Sequence, residues 1–227
     1  MNRVRTNGIE LAYDVLGDVA SPPMVLLHGL GEQRSGWPEV LERLAEGFRV
    51  FAFDLRGHGD SDWPGDYSLK LMRDDVAGAL DELGLSDVVL VGHSMGAAVA
   101  FYVVMRRPDL VSRLVVEDAP PPFQRDRPVP AEPDFPVPFD WPVVPAVVLG
   151  VNAGDPEAWK ALESISVPTL VVGGGPESHV PQEKLAEAAA LIPDCTLVTI
   201  DAGHHVHTGA PQEFSAAVLG WLDGQQP

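Results

Sequence analysis

Short, uninterrupted apolar runs alternate with longer segments of helical periodicity along this chain, and that alternation leaves few folds open. The runs are Met24-Val25-Leu26-Leu27 ahead of His28, Val50-Phe51-Ala52-Phe53 within 49–54, Val88–Val91 and Leu114–Val116; Thr169–Val172 and Thr196–Ile200, which include threonines, continue the alternation as strands. A strand with one face in water alternates apolar and polar residues. A continuous run needs both faces covered, which is the condition of a parallel sheet between helices. A further strand is predicted over 9–16. Helices are predicted over about 37–46, ended by Gly47, and over Leu69–Leu83, closed by Gly84. Another covers Met95–Arg107 and stops at Pro108, because the residue before proline avoids the helical region. Asp155 and Pro156 open a helix to about Ser164, and two more cover Pro181–Leu191 and Pro211–Leu222. The order predicts an α/β fold, a doubly wound, mostly parallel sheet with helices on both faces.

One segment breaks the alternation. Ten of the 22 prolines fall between Pro120 and Pro145, together with Phe123, Phe135, Phe139 and Trp141. Proline at that density works against regular helix and central strand. The aromatics argue against a solvated linker, which would be poor in apolar residues. The expectation is one domain over 1–227, interrupted by a short irregular insertion at about 119–160 that folds over something as a lid.

Charge and cysteine content exclude several classes of function. Lys and Arg number 15 against 33 Asp and Glu, a net charge of −18, and no basic cluster exceeds Arg106-Arg107. Nucleic acid and anionic membrane are therefore not expected partners. The single cysteine, Cys195, allows no intrachain disulfide and suits a reducing compartment. Glu10 and Asp14 interrupt any apolar stretch near the start, so residues 1–20 do not read as a signal peptide. No apolar run approaches the length of a membrane span. A cytoplasmic location is the expectation, and oligomeric state is not legible.

Gly92-His93-Ser94-Met95-Gly96 fits Gly-x-Ser-x-Gly, with a short apolar strand before it and a helix after it. In that context the serine occupies a strained strand-to-helix turn, and the glycines let backbone and neighbouring helix approach closely. The helix N-terminus faces any negative charge that develops there. A serine hydroxyl near neutral pH needs a base. Among seven histidines, His204 stands between the last strand and the last helix, at the sheet edge where the serine turn also lies. His205 and His207 follow it, but adjacent histidines on a loop point apart and no cysteine or helical partner supports a metal site. His28, His58 and His93 sit beside glycines in turns, where structural hydrogen bonding is the default.

With these residues in view, the chain resembles the α/β-hydrolase fold superfamily over nearly its whole length. His28-Gly29 resembles the family's loop after its third strand. The resemblance implies an oxyanion hole made by the backbone N–H groups of Leu30 and Met95. Asp54-Leu55-Arg56-Gly57-His58-Gly59-Asp60-Ser61 resembles a structural turn, and Gly203-His204, with Pro211 and Phe214 beyond, resembles the catalytic-histidine loop. The family order of nucleophile, acid, histidine assigns Ser94 and His204. For the acid, Gly174-Gly175-Pro176-Glu177 matches the usual position and favours Glu177. Asp118, after Glu117 at the end of the preceding strand, is the alternative that some relatives use.

The implied activity is that of a serine hydrolase acting on a small, largely apolar carboxylic ester or lactone. No cofactor and no metal are called for, and the expected partner is a small-molecule substrate. Serine in place of aspartate disfavours the alkyl-enzyme route of the related epoxide hydrolases and dehalogenases. The 49 residues between Asp118 and Pro168 include no tyrosine to polarise an epoxide. His28, Gly29, Phe123, Phe135, Phe139 and Trp141 are expected to line a compact apolar pocket. The net charge disfavours anionic substrates at long range, which one local arginine would reverse. The same machinery leaves open C–C bond or amide hydrolysis, perhydrolysis and acyl transfer. The fold also admits a ligand-binding protein, or a cyclase or lyase using His204 as base.

Overall fold

The predicted strands become inner strands of one eight-stranded sheet, except Thr196–Ile200, which becomes its edge. The structure, a computed structural model, describes residues 1–224. Its first half runs β1 (Asn2–Thr6), β2 (Ile9–Leu16), β3 (Pro23–Leu27), α1 (Pro38–Leu44), β4 (Arg49–Phe53), α2 (Leu69–Glu82), β5 (Val88–His93), α3 (Met95–Arg106) and β6 (Val111–Glu117). Its second half runs α4 (Val143–Ala153), α5 (Pro156–Ala161), β7 (Thr169–Gly173), α6 (Gln182–Leu191), β8 (Cys195–Thr199), α7 (Val206–Gly209) and α8 (Pro211–Leu222).

The strand order is β1-β2-β4-β3-β5-β6-β7-β8. The β1–β2 and β2–β4 pairings are antiparallel, and the other pairings between these strands are parallel. β3 pairs with β4 on one side and β5 on the other, so the winding direction reverses beside it. A crevice opens outside the carboxyl ends of the strands at such a reversal. Register brings His93 opposite Glu117, and Glu117 opposite Val172, at that edge.

Successive β3 residues serve opposite faces, as the strand pleat requires. Val25 and Leu27 pack with Phe53, Met72, Leu80 and Phe101 on the side of α2 and α3. Met24 and Leu26 pack with Trp37, Leu44 and Phe214 on the side of α1 and α8. Each fully buried Leu or Phe of these layers contributes ~1.5–3 kcal/mol relative to exposure.

Three of these elements were not predicted: β1, α4 and the four-residue α7. β1 reads Asn-Arg-Val-Arg-Thr and is an edge strand, with Val4 and Thr6 buried and the other three exposed. A polar edge carries no continuous apolar signal. α4 lies inside the segment expected to be irregular, which is irregular only up to about 142. Pro145 is the third residue of α4, where an N–H has no intrahelical acceptor, so the ring removes no bond. Among the described residues, no helix is long and apolar enough to cross a membrane.

Candidate active site

The turn between β5 and α3 holds Ser94 at φ 51° and ψ −111°, a backbone conformation that L-residues rarely adopt. Close packing enforces it. A Cβ added at Gly96 would stand 2.1 Å from the Leu27 carbonyl oxygen, so α3 starts hard against the end of β3. The Ser94 N–H donates to the Glu117 carbonyl oxygen at 3.0 Å, tying the turn to β6. The hydroxyl therefore stands clear of the sheet edge, partly exposed.

His204 lies on the loop after β8. Its Nε2 is 2.9 Å from Ser94 Oγ, and its Nδ1 is 2.7 Å from Asp118 Oδ2. A carboxylate only accepts, so Nδ1 carries the proton and Nε2 accepts from the serine hydroxyl. Asp118 is fully buried just past β6. Its Oδ1 accepts from the Gly174 N–H at 2.8 Å and from Gln182 Nε2 at 3.0 Å, and its Oδ2 also accepts from the Ser178 hydroxyl. Burial works against the charged carboxylate, but the bonds from His204, Ser178, Gln182 and Gly174 outweigh it and hold its pKa below the usual carboxylate value.

The geometry corrects the motif-based preference for the acid. Glu177 is exposed, and its side chain makes no hydrogen bond or ion pair among the described residues. In the β7–α6 loop it is the next residue, Ser178, that turns inward to Asp118. The neighbouring carboxylates Glu117 and Asp118 diverge. Glu117, also fully buried, accepts from the His207 N–H and from its Nδ1, each at 2.9 Å. Burial disfavours the charged His207 imidazole, but the Glu117 charge outweighs this and raises its pKa.

The pocket over Ser94 and His204 encloses about 630 Å³, open solvent at its mouth included. Leu30 and Met95 line it, and the Met95 N–H is a first-turn amide of α3 without an intrahelical acceptor. Of the aromatics expected there, only Phe123 lines it. Phe135 is 64% exposed. Phe139 packs against His58 and Trp141, with ring centroids 5.8 and 6.1 Å apart, so both aromatics hold the segment to the Asp54–Ser61 turn. His28 is fully buried, its Nδ1 2.7 Å from the Gly29 carbonyl and its Nε2 accepting from the Leu55 N–H. Burial pushes its pKa down to about 4, against the Gly29 bond. It braces the loop, and Gly29 donates its N–H to Glu32 rather than facing the pocket.

The apolar wall comes instead from Val147, Val148 and Val151 of α4, with Ala98 and Val180. Arg125, Arg127 and His179 supply a polar end that sequence reasoning missed. The signal for the arginines was their presence in a proline-rich segment of a cation-poor chain. Ser178 and Gln182 carried no local signal.

Two sets of side chains have ligand atoms within 4.8 Å of one another, as one divalent cation requires: Glu32, His93 and His205, and His93, Glu117 and His207. In the second, Glu117 and His207 already satisfy each other. His93 is buried, and both its ring nitrogens lack a hydrogen bond among the described residues.

A family model described as the alpha/beta hydrolase fold matches residues 22–159. The mouse sn-1-specific diacylglycerol lipase ABHD11 is 30% identical over 262 residues, covering 94% of this chain and 85% of that protein. Epoxide hydrolase 3 of Xenopus tropicalis is 38% identical over 123 residues, covering 53% of this chain and only 34% of that protein. A thermophilic esterase from Thermogutta terrifontis, solved with malate bound, superposes with a TM-score of 0.82 at 28% identity and covers 99% of both chains.

Proposed function

The chain belongs to the alpha/beta hydrolase fold family and is a hydrolase, and from that premise we propose that it cleaves a small, largely apolar carboxylic ester or lactone through an acyl-enzyme on Ser94. The observation that carries this reading is the unbroken hydrogen-bonded chain from Ser94 through His204 to Asp118, at 2.9 and 2.7 Å.

In this reading Ser94 Oγ attacks the acyl carbon as its proton passes to His204 Nε2. Asp118, kept ionised by its four donors, stabilises the imidazolium and holds the imidazole in the productive tautomer. The N–H groups of Leu30 and Met95 receive the oxyanion. Collapse of the tetrahedral intermediate breaks the bond to the alcohol oxygen, which takes the proton from His204. Water then gives a proton to His204 and attacks the acyl carbon, and the acid leaves as Ser94 recovers its proton. The valine wall supports an apolar substrate body, and the pocket's size supports a small one. The segment around 119–160 serves as a short lid over this pocket, within a single domain. The epoxide hydrolase route is not favoured, because a serine hydroxyl stands at the nucleophile position.

The test is intact mass after incubation with a fluorophosphonate, followed by a screen of esters and lactones. A single adduct on wild type that is absent from Ser94→Ala, with turnover in the screen, is expected. A folded wild type that takes no adduct and cleaves no ester overturns the reading.

A further inference from the structure

Arg125 and Arg127 face the same pocket as Ser94 and His204, in a chain with more than twice as many acidic as basic residues. Neither has a carboxylate within 4.0 Å among the described residues, and Asp126, between them in sequence, pairs with neither. Arg125 is partly buried and its Nε is wholly so, without a hydrogen-bond partner; no other arginine has a buried, unpartnered guanidinium nitrogen among the described residues. The Arg125 guanidinium lies over the Phe123 ring at 5.0 Å. The Arg127 side chain has only a 3.5 Å contact with His179 Nε2.

This arrangement is unfavourable as it stands. A buried donor without an acceptor has lost its water and gained nothing in return. Burial and the adjacent Arg127 charge both lower the Arg125 pKa, and burial, with the His204 ring and the Arg127 charge beside it, pushes His179 down to about 4. The backbone nevertheless holds the pair in place. The Arg125 N–H donates to the Asn152 carbonyl at 3.1 Å, the Arg127 N–H to Asn152 Oδ1 at 3.2 Å, and Asn152 Nδ2 to the Arg127 carbonyl at 2.7 Å. The end of α4 thus fastens both arginines before any ligand arrives. An anion between them would satisfy the free donor and relieve the like-charge repulsion together.

We propose that Arg125 and Arg127 form an anion subsite of this pocket, so that the substrate is an ester or lactone with an apolar body and a carboxylate remote from the bond that breaks. This rests on the hydrolase reading of Ser94 and narrows it. A guanidinium fork matches a carboxylate in two parallel bonds. The net charge of −18 opposes a doubly charged phosphate twice as strongly as a carboxylate. At contact distance the two local cations prevail over that screened, distant field.

The test compares two pairs of esters on wild type, Arg125→Gln, Arg125→Lys and Arg127→Gln. Mono-p-nitrophenyl glutarate, with its carboxylate in the acyl part, is set against its methyl-capped counterpart. p-Carboxyphenyl butyrate, with its carboxylate in the alcohol part, is set against its methyl ester. At least one charged ester is expected to exceed its neutral counterpart about ten-fold or more in kcat/KM, the scale of one hydrogen bond to a charged group. Each Gln variant should lower that ratio, and Arg125→Lys should retain part of it. Ratios at or below one in both pairs, or a preference that both Gln variants keep, overturn the proposal. If wild type takes no fluorophosphonate on Ser94 and cleaves no ester, the hydrolase reading has failed, and the subsite is decided by calorimetric titration with glutarate. Binding that is lost in Arg125→Gln supports it; no binding by wild type overturns it.

Discussion

Asp118 Oδ2 and His204 Nδ1 lie 2.7 Å apart although 86 positions separate the two residues in the chain. Nothing local brings them together. β6 ends at Glu117, the backbone turns at Asp118 with φ 48°, and the Asp118 N–H bonds to the Val172 carbonyl at 2.8 Å. That turn sends the Glu117 carboxylate to His207 and the next one to His204. At Gly174 a Cβ would stand 2.1 Å from the Gly203 carbonyl oxygen, so the β7 and β8 loops close directly over the carboxylate.

Asp118→Asn is expected to lower kcat/KM for a small aryl ester by about 10⁴-fold, as the asparagine no longer enforces the tautomer that leaves Nε2 free to accept. Glu177→Gln is expected to stay within about three-fold of wild type, the range of an exposed surface change. Steady-state kinetics on both variants decide it, and a large loss in Glu177→Gln alone would return the acid to the β7 loop.

The His207–Glu117 pair makes stability depend on pH in a definite direction. The folded-state pKa of His207 is raised above 6.5, so protonated His207 contributes fully below that value. The contribution is lost as pH rises through the folded-state value. Urea unfolding of wild type and His207→Gln between pH 5 and 9 should differ by about 3 kcal/mol at the acidic end, the scale of a broken buried pair. The difference should shrink steadily toward the alkaline end. A difference independent of pH would mean that His207 acts through packing alone.

Gly96→Ala meets backbone rather than a flexible side chain, since Leu27 carbonyl oxygen would stand 2.1 Å from the new Cβ. Overpacking of this kind costs ~1–3 kcal/mol. Because Ser94 rides on the same turn, folded Gly96→Ala should also lose about 100-fold in fluorophosphonate labelling rate, as displacement by about 1 Å does. A labelling rate equal to that of wild type would show that the turn tolerates separation of α3 from β3.

Asp54 is fully buried and accepts from the Arg34 N–H at 2.7 Å, the Asp60 N–H at 2.9 Å and the Arg34 guanidinium. Asp54→Ala leaves two N–H groups without their acceptor while the guanidinium keeps Asp14 and Asp60, and should cost about 1–3 kcal/mol of stability. Activity per folded molecule should change little, because none of these groups lines the pocket. A selective loss of kcat at unchanged stability would give the turn a part in the chemistry.

Inner strands are legible one at a time because burial on both faces writes itself into consecutive residues, as in Val88–Val91. The Ser94 turn is legible for a similar reason: a strand, two flanking glycines and a helix start lie within a few positions. β1 escapes because an edge strand needs little apolar surface. α4 escapes because Pro145 looks like a breaker until its place in the first turn is known. The choice between Glu177 and Asp118 depends on which carboxylate the register of β6 against β7 carries to the His204 loop. The pocket wall likewise depends on where α4 fastens the proline-rich segment, which puts Arg125 inward and Phe135 outward. Apolar patterning is a one-dimensional record of how many faces of a strand are covered, so it survives in the sequence. Which side chains converge on one pocket depends on long-range register and on contacts between segments far apart in the chain, and only the folded molecule brings those together.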